Sequence, residues 1–202
     1  IGAKGSKSLK KDQLDVLNGL IESDDVSLTT KASFWVAFKM LENTEFEKKW
    51  LLENETIFPK QVRDLLKIRS GFIGLIGRVI RRENLTYGEA KEGMECVLNS
   101  AEPEYLKGAF LEALRLKRET FDENLGFLET LWKTSQRVVT ETPTLIDIAD
   151  NYDGFNRSVC YTPFLACALS AAGYPTLIHG SKTAAPKFGW TSHQILKKAN
   201  FE

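Results

Sequence analysis

Apolar residues recur at intervals of three and four from Lys10 to about Trp132, and the pattern stops at Thr142-Pro143. Such spacing brings positions i, i+3, i+4 and i+7 onto one face of a helix, so it commits most of the chain to helix packing. The texture then changes. Thr144, Leu145, Ile146, Asp147 and Ile148 read as a short strand, and Thr176, Leu177 and Ile178 as a second. Pro163 and the run FLACALSAAG between them make a small-residue helix ending at Gly173. Strand, loop, helix, strand is the opening of a parallel α/β layer. The expected fold is a mostly α-helical N-terminal region followed by the start of an α/β parallel-sheet domain. Its expected divisions are 1–70, 71–141 and 142–202. Two strands do not complete a layer, so the last division is expected to be truncated.

Local signals place the helices. Leu14, Leu17, Leu20 and Ile21 share one stripe, and Phe34, Ala37, Phe38 and Leu41 share another beside Trp35. Pro59 suits the first turn of a helix over Lys60 to Lys67. Gly71, Gly74 and Gly77 in an apolar run point to a hinge or a close helix contact. Thr86 with Glu89, and Thr120 with Glu123, have capping-box spacing. Leu125, Leu128, Leu131 and Trp132 are expected to form the apolar side of the helix after Thr120, with Trp35, Trp50 and Trp132 in the core or at helix interfaces. Trp190 stands in a loop, and Thr191 with Gln194 starts a final helix. The segment LKKDQLDVLNGLIES echoes LTYGEAKEGMECVLN at an offset of 76 residues, and SFWVAFKM echoes AFLEALRL at the same offset. This is either a duplicated helical unit or the general likeness of amphipathic helix pairs.

Composition narrows the function. Lys plus Arg and Asp plus Glu each total 27 in 202 residues, and that balance excludes a histone-like polybasic binder. No apolar run reaches the roughly 18 residues of a transmembrane helix. Cys96, Cys160 and Cys167 cannot form a paired disulfide framework, which favours a reducing compartment. The first residue is Ile1, so a processed chain is expected, and an organellar matrix or stroma reached after removal of a transit peptide fits that. The Gly, Ser and Lys-rich residues 1–11 read as a loose arm.

Three groups of residues can carry binding chemistry. The loop DNYDGFNRS lies between strand and helix, where α/β proteins bind ligands. In it Asn151, Tyr152 and Gly154 allow a close backbone approach, and Arg157 offers donors for phosphate or carboxylate. The alternative is a solvated turn in which Arg157 pairs with Asp153. After the second strand come His179, Gly180 and Lys182, which would face the same crevice. Arg78, Arg81, Arg82 and Lys91 form the core of a basic cluster. This is either an ordinary solvated face or a surface for RNA, DNA or an acidic partner. No metal-ligand set, Walker motif or GxGxxG is visible.

Residues 77–200 resemble the anthranilate phosphoribosyltransferase-like proteins of glycosyl transferase family 3. The stretch LTYGEAKEGMECVLNSAEPEYLKGAFLEALRLKRETFDENLGFLETL is similar to that family's helical domain, and Ile146 to Leu196 to the start of its α/β domain. The resemblance implies pentosyl transfer from Mg²⁺-bound phosphoribosyl pyrophosphate in catalytic members. In them a Gly-rich loop follows the first strand and Lys-His-Gly-Asn follows the second. Here the loop reads Asp150-Asn151-Tyr152-Asp153-Gly154, and the second motif reads Ile178-His179-Gly180-Ser181. The paired acidic residues that organise Mg²⁺ have no counterpart before Glu202. Tyr152, Gly154 and Arg157 match Tyr-x-Gly-x-x-Arg of a divergent branch, some members of which are associated with nucleic-acid binding. The resemblance therefore implies a catalytically degenerate phosphoribosyltransferase-like protein, needing no cofactor, that acts as a binding or assembly subunit. Its partners would be a larger protein assembly, a homodimer formed through helices, or nucleic acid. The alternative is a Mg²⁺-dependent phosphoribosyltransferase whose C-terminal half lies outside this chain.

Overall fold

The computed structural model describes residues 8–136, 138–150, 159–183 and 189–201. They fall into two compact units, one within 1–136 and one within 137–202.

The first unit is helical. Helix α1 (Lys11–Glu22) buries Leu14 and Ile21. Helix α2 (Leu28–Met40) is capped by Ser27, whose hydroxyl accepts from the Thr30 amide, and it buries Ala32, Trp35, Val36 and Phe38. Helix α3 (Glu45–Asn54) begins at a Thr44/Glu47 capping box and runs into a 3₁₀ turn at Glu55–Ile57. After Pro59 the structure forms only one α-turn, α4 (Lys60–Arg63), and then a 3₁₀ turn at Asp64–Leu66. The expected single helix to Lys67 is thus divided. The chain tightens so that Val62 and Leu65 both reach the core, each 0% exposed.

The three glycines are explained by α5 (Gly71–Ile80). Gly71 has φ +60°, a backbone state that glycine adopts without penalty, and it turns the chain into the helix. A Cβ on Gly74 would lie 2.6 Å from the Arg69 carbonyl carbon and oxygen. Gly74, and Gly77 whose Cβ would lie 3.1 Å from the Leu65 carbonyl oxygen, therefore serve close contacts of a helix that buries Phe72, Leu75, Ile76, Val79 and Ile80. Helices α6 (Tyr87–Leu98), α7 (Glu104–Lys117) and α8 (Phe121–Thr134) complete the unit, and both expected capping boxes are present, at Thr86/Glu89 and Thr120/Glu123. One hydrophobic cluster extends from Leu14 to Phe127, so the residues before and after position 70 share a core. Within it α2 packs on α7 and α6 on α8.

Helix α8 lies differently from its leucine pattern. It buries Glu123, Gly126, Phe127 and Thr130, whereas Leu128 and Trp132 are 53% and 54% exposed. The reason is backbone proximity: a Cβ on Gly126 would stand 2.6 Å from the Tyr87 carbonyl oxygen and 2.9 Å from Ala90 Cβ. A helix approaching this closely presents its small residues to its neighbour. Of the three tryptophans expected in the core or at helix interfaces, Trp35 and Trp50 are buried and Trp132 is 54% exposed.

The second unit contains β1 (Ile146–Asp150), α9 (Thr162–Ala171), β2 (Thr176–Gly180) and α10 (Ser192–Lys198). The two strands pair in parallel, Ile146 opposite Thr176 through Asp150 opposite Gly180, as the strand–helix–strand order requires. The first strand starts two residues later than Thr144. Gly173, at φ +88°, closes α9. Thr191 and Gln194 form a capping box at the start of α10.

Candidate functional site

Both strands end at one edge, since Asp150 and Gly180 are register partners. The segment leading to α9 leaves β1 there, and the segment leading to α10 leaves β2 there. One contact joins the two helix starts, and a second ties the start of α10 to the turn after β2. Cys160 Sγ lies 3.3 Å from Ser192 Oγ, joining the residues before α9 to the first residue of α10. The Thr191 hydroxyl donates to the Lys182 carbonyl at 3.3 Å, fixing the turn after β2. Cys160, Thr191 and Ser192 are buried. The carboxyl edge of parallel strands is where open α/β sheets bind ligands, because the loops and helix N-termini present amide donors there.

His179 is on this edge. Its Nδ1 is 2.7 Å from Asp147 Oδ1 on the neighbouring strand, with the side chains 56% and 52% exposed. Such an exposed pair orients the ring but adds little stability. His179→Ala is accordingly expected to change the unfolding free energy by less than about 1 kcal/mol in urea titration. A larger loss would make the pair structural and remove His179 from the ligand-binding candidates. Gly180 ends β2, and Lys182 is exposed in the turn that Thr191 fixes. Asn151, Tyr152, Gly154 and Arg157 lie outside the described residues.

The basic cluster is spread over three different tasks. Arg78 donates through Nε to Glu83 at 3.1 Å, through Nη2 to the Asn84 carbonyl at 3.1 Å, and through Nη1 to Glu89. The bond to Glu89 leads the interactions that raise its pKa above the ordinary arginine value. Arg81 donates to Glu83 at 2.8 Å and leads the interactions that hold that carboxyl below its ordinary range. Arg82, exposed and at φ +64°, donates to the main-chain carbonyls of Met40 and Leu116. Lys91 bonds Glu129 at 2.7 Å and lies over the Tyr87 ring, and desolvation followed by the neighbouring Lys133 lowers its pKa. All four cations thus have acceptors inside the protein. Sequence spacing gives charge but not direction, and neither the bonds of Arg82 to two carbonyls nor the ion pairs of Arg78 and Arg81 carry a periodic signal.

Among the described residues no group of three His, Cys, Asp or Glu is arranged to hold a metal, and no helix is long and apolar enough to cross a membrane.

Residues 73–135 match the helical bundle domain of the glycosyl transferase family. The chain is 30% identical to an anthranilate phosphoribosyltransferase of Synechococcus sp. (strain JA-3-3Ab), over 57% of this chain and 34% of that protein. It is 31% identical to the enzyme of the same name from Dehalococcoides mccartyi (strain CBDB1), over 56% of this chain and 33% of the relative. It is 26% identical to the bifunctional protein TrpGD of Thermotoga maritima, over 64% of this chain and 22% of that one. The chain thus spans about a third or less of the length of these relatives. No solved structure matches it. These matches support the resemblance to glycosyl transferase family 3 and its anthranilate phosphoribosyltransferases over the aligned part of the chain.

Proposed function

We propose that this chain supplies the helical domain and the opening strands of an anthranilate phosphoribosyltransferase-like protein, and that the carboxyl edge of its sheet binds a phosphorylated ligand without transferring a pentosyl group. The observation that carries this reading is the parallel register that ends β1 and β2 at a common edge with His179 and Gly180 on it. The ligand class follows from the donors available there: an imidazole, a lysine at 182 and the amides at the start of α9 favour an anion. The absence of transfer rests on Ile178 and Ser181, which stand where the catalytic pattern has Lys and Asn. Ile178 has no charge to place on a developing diphosphate, and stabilising that charge is the main work of such a site.

A second reading, a working Mg²⁺-dependent phosphoribosyltransferase, draws on the activity that the Synechococcus and Dehalococcoides relatives are named for. Asp147 of β1 is already hydrogen-bonded to His179. A Mg²⁺-diphosphate complex would need carboxylates from elsewhere in the protein. Titration calorimetry on the full-length protein separates the readings. Binding of phosphoribosyl pyrophosphate with Mg²⁺, and no diphosphate release on adding anthranilate, is the expected result. Diphosphate release would establish the enzyme. No binding of phosphoribosyl pyrophosphate would remove both readings. The basic cluster carries no part of this proposal, because its side chains are engaged internally.

A further inference from the structure

The echo at an offset of 76 residues is matched by the structure at points that amphipathic periodicity does not govern. Helices α1 and α6 begin and end 76 residues apart, and α2 and α7, then α3 and α8, begin 76 apart. The decisive likeness is in the carboxylates. Glu47 accepts from the Leu9 amide at 2.7 Å and from the Thr44 amide at 2.7 Å. Glu123 accepts from the Leu85 amide at 2.8 Å and from the Thr120 amide at 2.7 Å. In each set a buried glutamate closes its own cap and also holds the residue just before a helix 38 positions upstream. A chance resemblance of two helix pairs does not reproduce that long-range bond.

The two sets also meet through equivalent positions. Ala32 of α2 corresponds to Gly108 of α7, and these small residues lie where the helices approach closely. A Cβ on Gly108 would be 2.6 Å from Thr29 Cγ2 and 3.0 Å from Ser33 Oγ, three residues before Ala32 and one after it. Ala32 itself is 0% exposed. At the ends of the same helices, the Arg82 guanidinium donates to the Met40 carbonyl at 2.5 Å and to the Leu116 carbonyl at 3.3 Å. These two acceptors are again corresponding residues. One planar fork thus holds the same carbonyl in both sets, and the C-terminal ends of α2 and α7 converge on it.

We infer that residues 9–54 are a second, more open copy of the helical unit formed by residues 85–134, in which α1 and α3 do not pack on each other as α6 packs on α8, and that the α2–α7 contact is a homodimer-type interface closed within one chain. Contact through the same patch on both members is what defines an isologous pair. The partner that fits the α7 face is therefore another copy of the same unit, and this chain carries it. The consequence is specific: α7 is already covered, so the chain does not self-associate through it.

The test uses the full-length protein with Cys96, Cys160 and Cys167 replaced by alanine and the pair Ser33→Cys and Gly108→Cys introduced. The 3.0 Å between the Ser33 Oγ and the Gly108 Cβ positions suits a disulfide, in which each sulfur lies about that far from the opposite Cβ. Oxidation is expected to shift the protein to a faster-migrating monomer band on a non-reducing gel, independent of protein concentration. A disulfide-linked dimer that grows with concentration, or no link at all, would overturn the inference. Because Gly108→Cys crowds Thr29, a second measurement uses the unmodified sequence. Lysine cross-linking of mixed ¹⁵N-labelled and unlabelled chains is expected to join the two copies within chains of one isotope only. Mixed-isotope links between the copies would show pairing between chains and refute the proposal.

Discussion

Glu123→Ala is expected to lower the unfolding free energy by about 3–5 kcal/mol, the range for breaking a buried ion pair by removing one partner. The Glu123 side chain is fully buried, and its Lys117 partner, at 2.8 Å, is 3% exposed. Alanine would leave that ammonium without its carboxylate. It would also strand the amides of Leu85 and Thr120. Burial pushes the Glu123 pKa up, but the Lys117 bond and the two amides outweigh it and the net shift is downward. A lowered folded pKa gives stability that is present above the ordinary value of 4.5 and is lost as pH falls through the folded value. Urea titrations of wild type and Glu123→Ala should therefore differ most near neutrality and converge in acid. A constant difference across that range would mean that packing, not charge, accounts for the effect. Glu47 is the internal control. Leu41 stands where its counterpart has Lys117, so Glu47→Ala strands amides but no buried charge. Its cost is expected to be smaller, about 1–3 kcal/mol.

The contrast between these two glutamates shows how far the sequence could be read. The pair Thr120 and Glu123 announces a helix start, because a capping box is local and has fixed spacing. The bond from Leu85 to Glu123 spans 38 residues and has no such signature. The same holds elsewhere. Threonines and isoleucines mark β1 and β2, and the long helical crossover through α9 is the connection that parallel strands need. Leucine spacing on α8 suggests a buried side that the structure leaves largely open. The choice was made by Gly126, whose missing side chain lets α8 approach α6 through another face. Arg82 belongs to a run of cations in the sequence, yet its positive φ aims it at two carbonyls. At the sheet edge, His179 and Gly180 are legible because a strand must end there. The residues chosen at 151–157 rest on sequence and resemblance alone.

Gly93→Ala should lower stability by about 2 kcal/mol, although alanine is the better helix former by roughly 1 kcal/mol. The sign is decided by Phe110. A Cβ at position 93 would lie 2.5 Å from Phe110 Cζ, with Cε1 and Cε2 at 3.1 and 3.3 Å. A ring on a free surface would move aside. This one is 0% exposed and is held by Phe72 at a centroid distance of 5.2 Å and by Phe127 at 6.4 Å, both edge-on. Relief therefore requires α6 to move outward, which loosens its packing on α8. A thermal midpoint lower by on the order of 5–10 °C is the expected reading. The double variant Gly93→Ala with Phe110→Leu should recover part of the loss, since leucine vacates the ring volume that the new methyl needs. A midpoint that stays level or rises in Gly93→Ala would show that Phe110 can yield. The other helical copy has reached the opposite solution: Leu17 occupies the position of Gly93, and the corresponding Phe34 is only half-buried, stacked on Phe58. One fold thus accommodates either a large side chain on the first helix or a fully inserted ring on the second, and joining both in one copy is what Gly93→Ala begins to do.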